Sequence, residues 1–225
     1  MPTRNGRTAK YYLRVDFQTE KALLQPCLLP PPSEVLRAGL FLNMAATLHL
    51  AGDIAGAEQA IRNADIQDCA VWADRLWGKG GPWSRPRRED QPPSQPGIGP
   101  RHESKQLENA IVDRDGHWCR FCGIGVVRRE VRRLLHLTYP DALRWGPANR
   151  DKHSGFLALT ACFDHLLPYS RGGETSLDNM VLCCWPCNNG RASLTLAEVD
   201  LLDPRDRSPQ PALGWDRWDG LSRLL

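Results

Sequence analysis

The sequence has no long hydrophobic run and no strong excess of one charge. Its most apolar stretch, LRAGLFLNMAATLHLAG, is interrupted by Asn43 and His49 and is short for a transmembrane span. The segment MPTRNGRTAKYYLR lacks the apolar centre of a secretory signal peptide. The 29 basic and 26 acidic residues give a net charge of +3, which by itself does not indicate a nucleic-acid partner. We therefore expect a cytoplasmic protein with no membrane partner.

The first third of the 225 residues has a helical pattern. Prolines 30–32 prevent an earlier helix from continuing, and Ser33 is the predicted N-cap of a helix over residues 34–50. Asp53 is the predicted N-cap of a second helix, and residues 66–77 follow the same periodicity. These patterns predict a small α-helical domain over residues 1–78, with target or partner recognition as its expected role.

The remainder of the chain divides by composition. Residues 79–104 are rich in proline and glycine and predict a linker or an extended arm. Residues 105–200 contain the motifs that carry chemistry, with an insertion over residues 123–160. Residues 191–202 predict a helix, and the tail over residues 201–225 is expected to be irregular, with tryptophans available to dock.

Basic residues form two local clusters. Arg4, Arg7, Lys10 and Arg14 precede the first acidic residue, and RREVRR covers residues 128–133. Each cluster is compatible with phosphate contact and equally with a solvated surface. The second cluster predicts a helix with its arginines on one side.

Two Cys-x-x-Cys pairs are the strongest signal in the sequence. CRFC contains Cys119 and Cys122, and CWPC contains Cys184 and Cys187. This spacing lets two thiolates from one turn bind the same ion, and two such turns complete a tetrahedral zinc site. Four thiolates leave no open position for water, so the predicted zinc is structural.

Polar residues between and beside the cysteine pairs indicate a second site. Asp164 and His165 lie in ALTACFDHLL, which predicts a strand over residues 158–167, while Asn179 and Asn188 lie farther along. Neighbouring side chains of a regular strand point to opposite faces, so both would reach one site only at a bulge or a strand end. Taken singly, the Asp-His pair could be incidental and either asparagine could be a cap.

Together, VDRDGHWCRFCG, DHLLPYSRGGETSLDN and LCCWPCNNGR resemble the HNH endonuclease family in its zinc-stabilised form with two Cys-x-x-Cys knuckles. The resemblance covers residues 106–200. It implies an α+β fold in which the N-terminal α-helical domain precedes a C-terminal ββα-metal nuclease core with structural zinc. The last motif position is Asn188, which makes this a His-Asn-Asn variant, and the insertion is longer than the compact core requires.

The resemblance also implies a reaction, the hydrolysis of DNA phosphodiester bonds to 5′-phosphate and 3′-hydroxyl ends. His165 would be the general base, and Asp164 and Asn188 would hold one Mg²⁺ or Mn²⁺. Asn179 would fix the loop that orients His165. Arg171 and Arg191, and less strongly Arg120, are the predicted phosphate contacts.

Two other classes of protein stay open at this stage. A non-catalytic zinc knuckle that binds nucleic acid or protein would use the same cysteines, but it has no need of Asp164, His165 and Asn188. A helical scaffold with a degenerate nuclease core has support only from the N-terminal half. A protein partner would dock on the apolar surface of residues 34–77, and a role in phage defence or a mobile element follows by analogy alone.

Overall fold

The computed structural model describes residues 24–225, and the predicted basic cluster at residues 4–14 lies outside this range. Helices α1 (Ser33–Leu50), α2 (Ile54–Asn63) and α3 (Gln67–Trp77) follow one another, and α1 packs on α2. Asp53 caps α2 as predicted, because its carboxylate accepts a hydrogen bond from the Gly56 amide at 2.8 Å. Ser33 is the first residue of α1 rather than its cap, and its hydroxyl bonds to Glu34 instead.

The second half contains a ββα unit. Helices α4 (Lys105–Asp115), α5 (Arg129–Thr138) and α6 (Ser154–Leu159) precede strands β1 (Ala161–His165) and β2 (Met180–Cys184), and α7 (Trp185–Arg191) follows β2 directly. The strands pair antiparallel, with Asp164 opposite Val181 and His165 opposite Met180. The predicted α+β fold, with α-helices first and a ββα unit in the C-terminal half, is confirmed.

The strand predicted over residues 158–167 is shorter in the structure, because α6 occupies its beginning. The ring Nδ1 of His153 accepts a hydrogen bond from the Phe156 amide and caps this helix. All six residues of α6 are buried, and the helix contacts α1, α3 and α7. The insertion thus joins the N-terminal helices and the nuclease core in one continuous hydrophobic core.

The helix predicted over residues 191–202 is wrong. Helix α7 ends at Arg191, Ala192 has a left-handed φ of 49°, and only a 3-10 turn over Ala197–Val199 follows. The Glu198 side chain turns inward, where it accepts a hydrogen bond from the Thr195 amide at 2.8 Å. Side-chain hydrogen bonding to local backbone replaces the helical hydrogen bonds in this segment.

Residues 92–103 of the Pro/Gly-rich segment, which we call the strap, lie along the loop that follows β1. The Gln95 amide donates to the Ser170 carbonyl at 2.9 Å, and the Ile98 amide donates to the Gly173 carbonyl at 3.2 Å. The Tyr169 hydroxyl donates to the Gly99 carbonyl at 2.7 Å. The strap therefore has fixed backbone partners in the nuclease core, while the domain boundaries themselves stay a prediction.

The C-terminal tail is irregular and docks on the body of the protein, as the sequence predicts. Trp215 and Trp218 are buried, and the indole of Trp218 donates to the Val126 carbonyl at 3.0 Å. A Cβ atom added at Gly39 would lie 2.2 Å from the Trp215 ring, so α1 needs a glycine at this contact. None of the helices within residues 24–225 is long and apolar enough to cross a membrane.

Candidate active site and zinc centre

Four cysteine sulfurs meet at the end of the β-ribbon. Those of Cys119, Cys122, Cys184 and Cys187 all lie within 4.8 Å of one another, and the Cys122–Cys184 pair is 3.7 Å apart. A tetrahedral zinc ion with Zn–S bonds of about 2.3 Å requires sulfur–sulfur edges of about 3.8 Å. The cluster is therefore compatible with structural zinc, and it fits the four cysteines predicted from their spacing.

The cysteine cluster is directly adjacent to Asn188. Cys184 is the last residue of β2, and Cys187 lies in the first turn of α7, immediately before Asn188. The Asn188 side chain lines a cleft of about 510 Å³ that also contains His165. No side-chain hydrogen bond engages the Asn188 carboxamide within residues 24–225, so its oxygen is available in the cleft.

His165 is one of the titratable residues that line this cleft. Its Nε2 lies 2.9 Å from the Thr175 hydroxyl oxygen, and that hydroxyl donates to the Arg101 carbonyl at 3.3 Å. When the hydroxyl gives its one proton to the Arg101 carbonyl, its oxygen accepts from Nε2–H, and this is the tautomer that we assign. The neutral ring then has an unprotonated Nδ1, for which the described part of the chain supplies no partner.

The pKa of His165 is held below its usual value, chiefly because the ring is partly buried, while Asp164 acts in the opposite direction. The imidazole is therefore neutral at pH 7, the form in which Nδ1 can accept a proton. The Tyr169 ring packs edge-on against it, with the ring centroids 5.8 Å apart.

Asn179 bonds to both sides of the loop between the strands. Its Oδ1 accepts from the Leu167 amide at 2.9 Å, and its Nδ2 donates to the carbonyls of Leu167 at 3.1 Å and Glu174 at 2.8 Å. These bonds fix Glu174, the residue before Thr175, relative to Leu167, which lies just after the end of β1. All three are backbone contacts, so Asn179 does not itself enter the cleft.

Asp164 points away from His165 into a buried ion pair with Arg191, as strand alternation requires. Arg191 Nε donates to one carboxylate oxygen at 3.0 Å and Nη2 to the other at 2.5 Å. Its remaining donors reach the carbonyls of His165, Leu166 and Leu194. Burial raises the pKa of Asp164, and the Arg191 guanidinium opposes that effect.

The arginines predicted to contact phosphate are used inside the protein. Arg191 is 0% exposed in the pair just described, and Arg171 is 1% exposed and donates to Glu198 at 2.5 Å. Arg120 is 8% exposed and donates to the carbonyls of Pro204 and Arg207. Guanidinium groups at these depths are held by protein partners rather than displayed on the surface, so the phosphate contacts of these three arginines stay a prediction that their burial does not favour.

The structure brings the predicted catalytic residues together to different degrees. His165, Asn188 and Asp164 all line the cleft, although Asp164 presents only its edge. A carboxylate has about four lone-pair positions, and Arg191 uses one on each oxygen. The remaining lone pairs and the Asn188 carboxamide are hard oxygen donors, which fits a magnesium ion that keeps several of its waters.

Sequence reasoning missed Thr175 and the carbonyl of Arg101. A hydroxyl residue two positions after the Gly-Gly turn, in the loop before Asn179, is the only sequence signal for the first. The position of the Arg101 carbonyl depends on the path of the strap, which cannot be predicted from the spacing of the motifs.

Comparison with known families agrees with the geometry. The profile described as HNH endonuclease matches residues 155–193, a segment that contains all but the first residue of α6, both strands and α7. No curated protein and no solved structure matches the chain. The matched segment holds two of the four clustered cysteines together with Asp164, His165 and both asparagines. Residues 155–193 therefore match the HNH endonuclease family, and the four clustered cysteines are compatible with the zinc-stabilised form of that family.

Proposed function

We propose that the protein is a metal-dependent endonuclease that hydrolyses DNA phosphodiester bonds to 5′-phosphate and 3′-hydroxyl ends. The observation that carries this proposal is that His165 lines the same cleft as Asn188, with its Nε2 bonded to Thr175 and its Nδ1 without a partner within residues 24–225. A zinc knuckle that only binds a partner needs neither group. The family match supports nuclease chemistry in general terms.

His165 is the proposed general base. Its Nδ1 accepts a proton from the attacking water, and the Nε2–H bond to Thr175 holds the ring while positive charge develops on it. A neutral ring is needed for this step, and the lowered pKa provides it at pH 7. Asn179 is a positioning residue, because its three backbone bonds hold the loop that carries Thr175.

Asp164 and Asn188 are the proposed ligands of one Mg²⁺ or Mn²⁺. When bound, such an ion supplies Lewis acidity at the phosphate and at the departing 3′ oxygen. Arg191 opposes the rise in the pKa of Asp164 that burial causes and holds this carboxylate in place, and the zinc knuckle keeps Asn188 in place. A role in defence against phage or in a mobile element stays a hypothesis from analogy.

Supercoiled plasmid incubated with Mg²⁺ or Mn²⁺ tests the assignment, with wild type compared with His165→Ala. We expect wild type to convert the plasmid to nicked or linear DNA and the variant to lose this activity by about 100-fold or more. His49→Ala is the matched control, because His49 bonds to Tyr139 outside the cleft. Asn188→Ala should lose cleavage while keeping the bound zinc.

Equal cleavage by wild type and His165→Ala would contradict the proposed base. DNA binding without cleavage by either protein, in both metals, would favour the non-catalytic zinc module.

A further inference from the structure

The phosphate contacts of the cleft need cations other than those of the nuclease core. Arg171 and Arg191 are fully engaged by buried carboxylates, and Arg120 lies under the tail. A nucleic-acid backbone is held by exposed lysine and arginine side chains that displace its counterions. The relevant cations must therefore line the cleft and remain accessible.

Arg101 and Arg129 meet both conditions. Both line the cleft that contains His165. Arg101 is exposed, and no hydrogen bond or ion pair engages its guanidinium within residues 24–225. The Arg129 side chain is 69% exposed, and its one ion pair, with Glu108, is long at 3.6 Å.

The carboxylates of the same cleft do not cancel these two charges. Asp164 is paired with Arg191, and Glu108 lies 3.0 Å from both Arg128 and Lys105. Lys105 also binds Glu130. The remaining carboxylate, Glu103, has no ion-pair partner in the described part of the chain, and its single negative charge can offset at most one of the two exposed positive charges.

The two arginines come from segments outside the ββα unit, and both segments are held in place. The strap is bound to the loop after β1 through Ile98 and Tyr169, and the Arg101 carbonyl accepts from Thr175. The start of α5 is held by the buried carboxylate of Glu108, which pairs with Arg128. Cations presented by fixed backbone lose less freedom on binding than cations on a mobile loop.

We propose that Arg101 of the strap and Arg129 of the insertion form a clamp for the phosphate backbone of duplex DNA beside His165. This inference rests on the proposed nuclease function and identifies which residues bind its substrate. The strap and the insertion, rather than the nuclease core, then provide the electrostatic part of substrate binding.

Binding of a fluorescein-labelled DNA duplex tests the clamp, measured by anisotropy from about 50 to about 200 mM NaCl. All proteins carry His165→Ala, so that binding is read without cleavage. Arg101→Ala and Arg129→Ala should each weaken binding, and each should reduce the slope of log K against log salt by about one, because one phosphate contact is lost. Arg101→Lys should keep the parental slope, because it keeps the charge.

Arg150→Ala is the matched control. Arg150 is 87% exposed, lies in the same insertion and does not line the cleft, so its loss should leave the slope unchanged. Glu103→Gln should strengthen binding, because it removes the carboxylate that opposes the clamp.

The outcomes separate the clamp from the nuclease assignment. A parent that binds DNA, with Arg101→Ala and Arg129→Ala both keeping its affinity and slope, would overturn the clamp and leave the nuclease standing. A parent that binds no duplex would overturn the clamp and the DNA substrate together. Plasmid cleavage that is absent while the slope changes occur would contradict the nuclease and leave the clamp as a DNA-binding site.

Discussion

Replacing Thr175 by valine isolates the hydrogen bond that orients His165. Valine keeps the branched shape of threonine and removes the hydroxyl, so Nε2 of His165 and the Arg101 carbonyl both lose their partner. Thr175→Ser keeps the hydroxyl and removes only a methyl group. The two variants therefore separate the hydrogen bond from the packing of the side chain.

The size of the effect follows from the change in charge on the ring. A hydrogen bond from neutral imidazole is worth about 1 kcal/mol, whereas one from imidazolium is worth about 1.5–3 kcal/mol. Only the difference, about 0.5–2 kcal/mol, acts on the chemical step, which corresponds to a rate loss of about 2- to 30-fold. The free enzyme should keep its fold, because the Arg101 carbonyl lies in an exposed segment that water can reach.

Single-turnover plasmid cleavage as a function of pH is the assay. The rate of wild type should rise with pH and level off below the range of a free imidazole, since burial lowers the pKa of His165. In Thr175→Val this acid limb should move to still lower pH, because the threonine oxygen stabilises the protonated ring more than the neutral one. Thr175→Ser should retain both the rate and the limb of wild type.

A valine variant with the wild-type rate and the wild-type acid limb would refute this reasoning. Equal impairment of the valine and serine variants, with no movement of the limb, would assign Thr175 a packing role only.

Three further predictions concern stability and metal content. Purified protein should contain about one zinc per chain by elemental analysis. Cys122→Ser or a strong chelator should abolish the cooperative thermal transition, because the binding free energy of a structural zinc is largely folding free energy. An unchanged transition in zinc-free protein would contradict the site. Arg191→Ala should lower the free energy of unfolding in urea by about 3–5 kcal/mol, because it leaves the Asp164 carboxylate buried without its partner, and a loss within error of zero would count against the buried pair. Burial lowers the pKa of His153, so as the pH decreases this ring binds a proton in the unfolded chain before it does so in the folded protein. The free energy of unfolding should therefore fall as the pH decreases below about 6.5. A His153→Gln variant with the same pH dependence would show that this ring does not contribute.

The zinc centre could be predicted from the sequence because its information is local. Each cysteine pair lies within one turn, and turn chemistry such as Gly123 after Cys122 identifies it without knowledge of the rest of the fold. The presence of His165 and Asn188 in one cleft was implied by the resemblance of the motifs to the HNH endonuclease family. Strand alternation also raised the question of how Asp164 and His165 could share a site, and the structure answers that Asp164 faces mainly inward.

The roles of the arginines could not be predicted, because they depend on contacts between distant positions. Arg191 and Asp164 are 27 positions apart, as are Arg171 and Glu198, and neither spacing matches a helical or strand neighbour. An arginine beside a glycine turn is predicted to be exposed when the position of its carboxylate partner is unknown. The helix predicted after Arg191 is wrong for the same reason, since Glu198 is used for an ion pair across the fold.

The limits of β1 could not be predicted either. Residues 158–160 continue the apolar run of the strand, yet Ala158 and Leu159 belong to α6. An apolar run of this length is compatible with both elements, and here the capping of α6 by His153 decides for the helix.

The contact between the tail and α1 has a consequence for synthesis on the ribosome. Trp215 covers Gly39, and Arg223 donates to Asn43, which is 180 positions earlier in the chain. Helix α1 is synthesised long before the C-terminal tail that contacts it. The apolar surface of α1 and the turn with Cys119 and Cys122 therefore remain partly uncovered until the tail emerges. Contacts of such long range form slowly, and we expect chaperones to engage this apolar surface on nascent chains. Burial of this apolar surface is thereby deferred until the segment with Trp215 and Arg223 has left the ribosome.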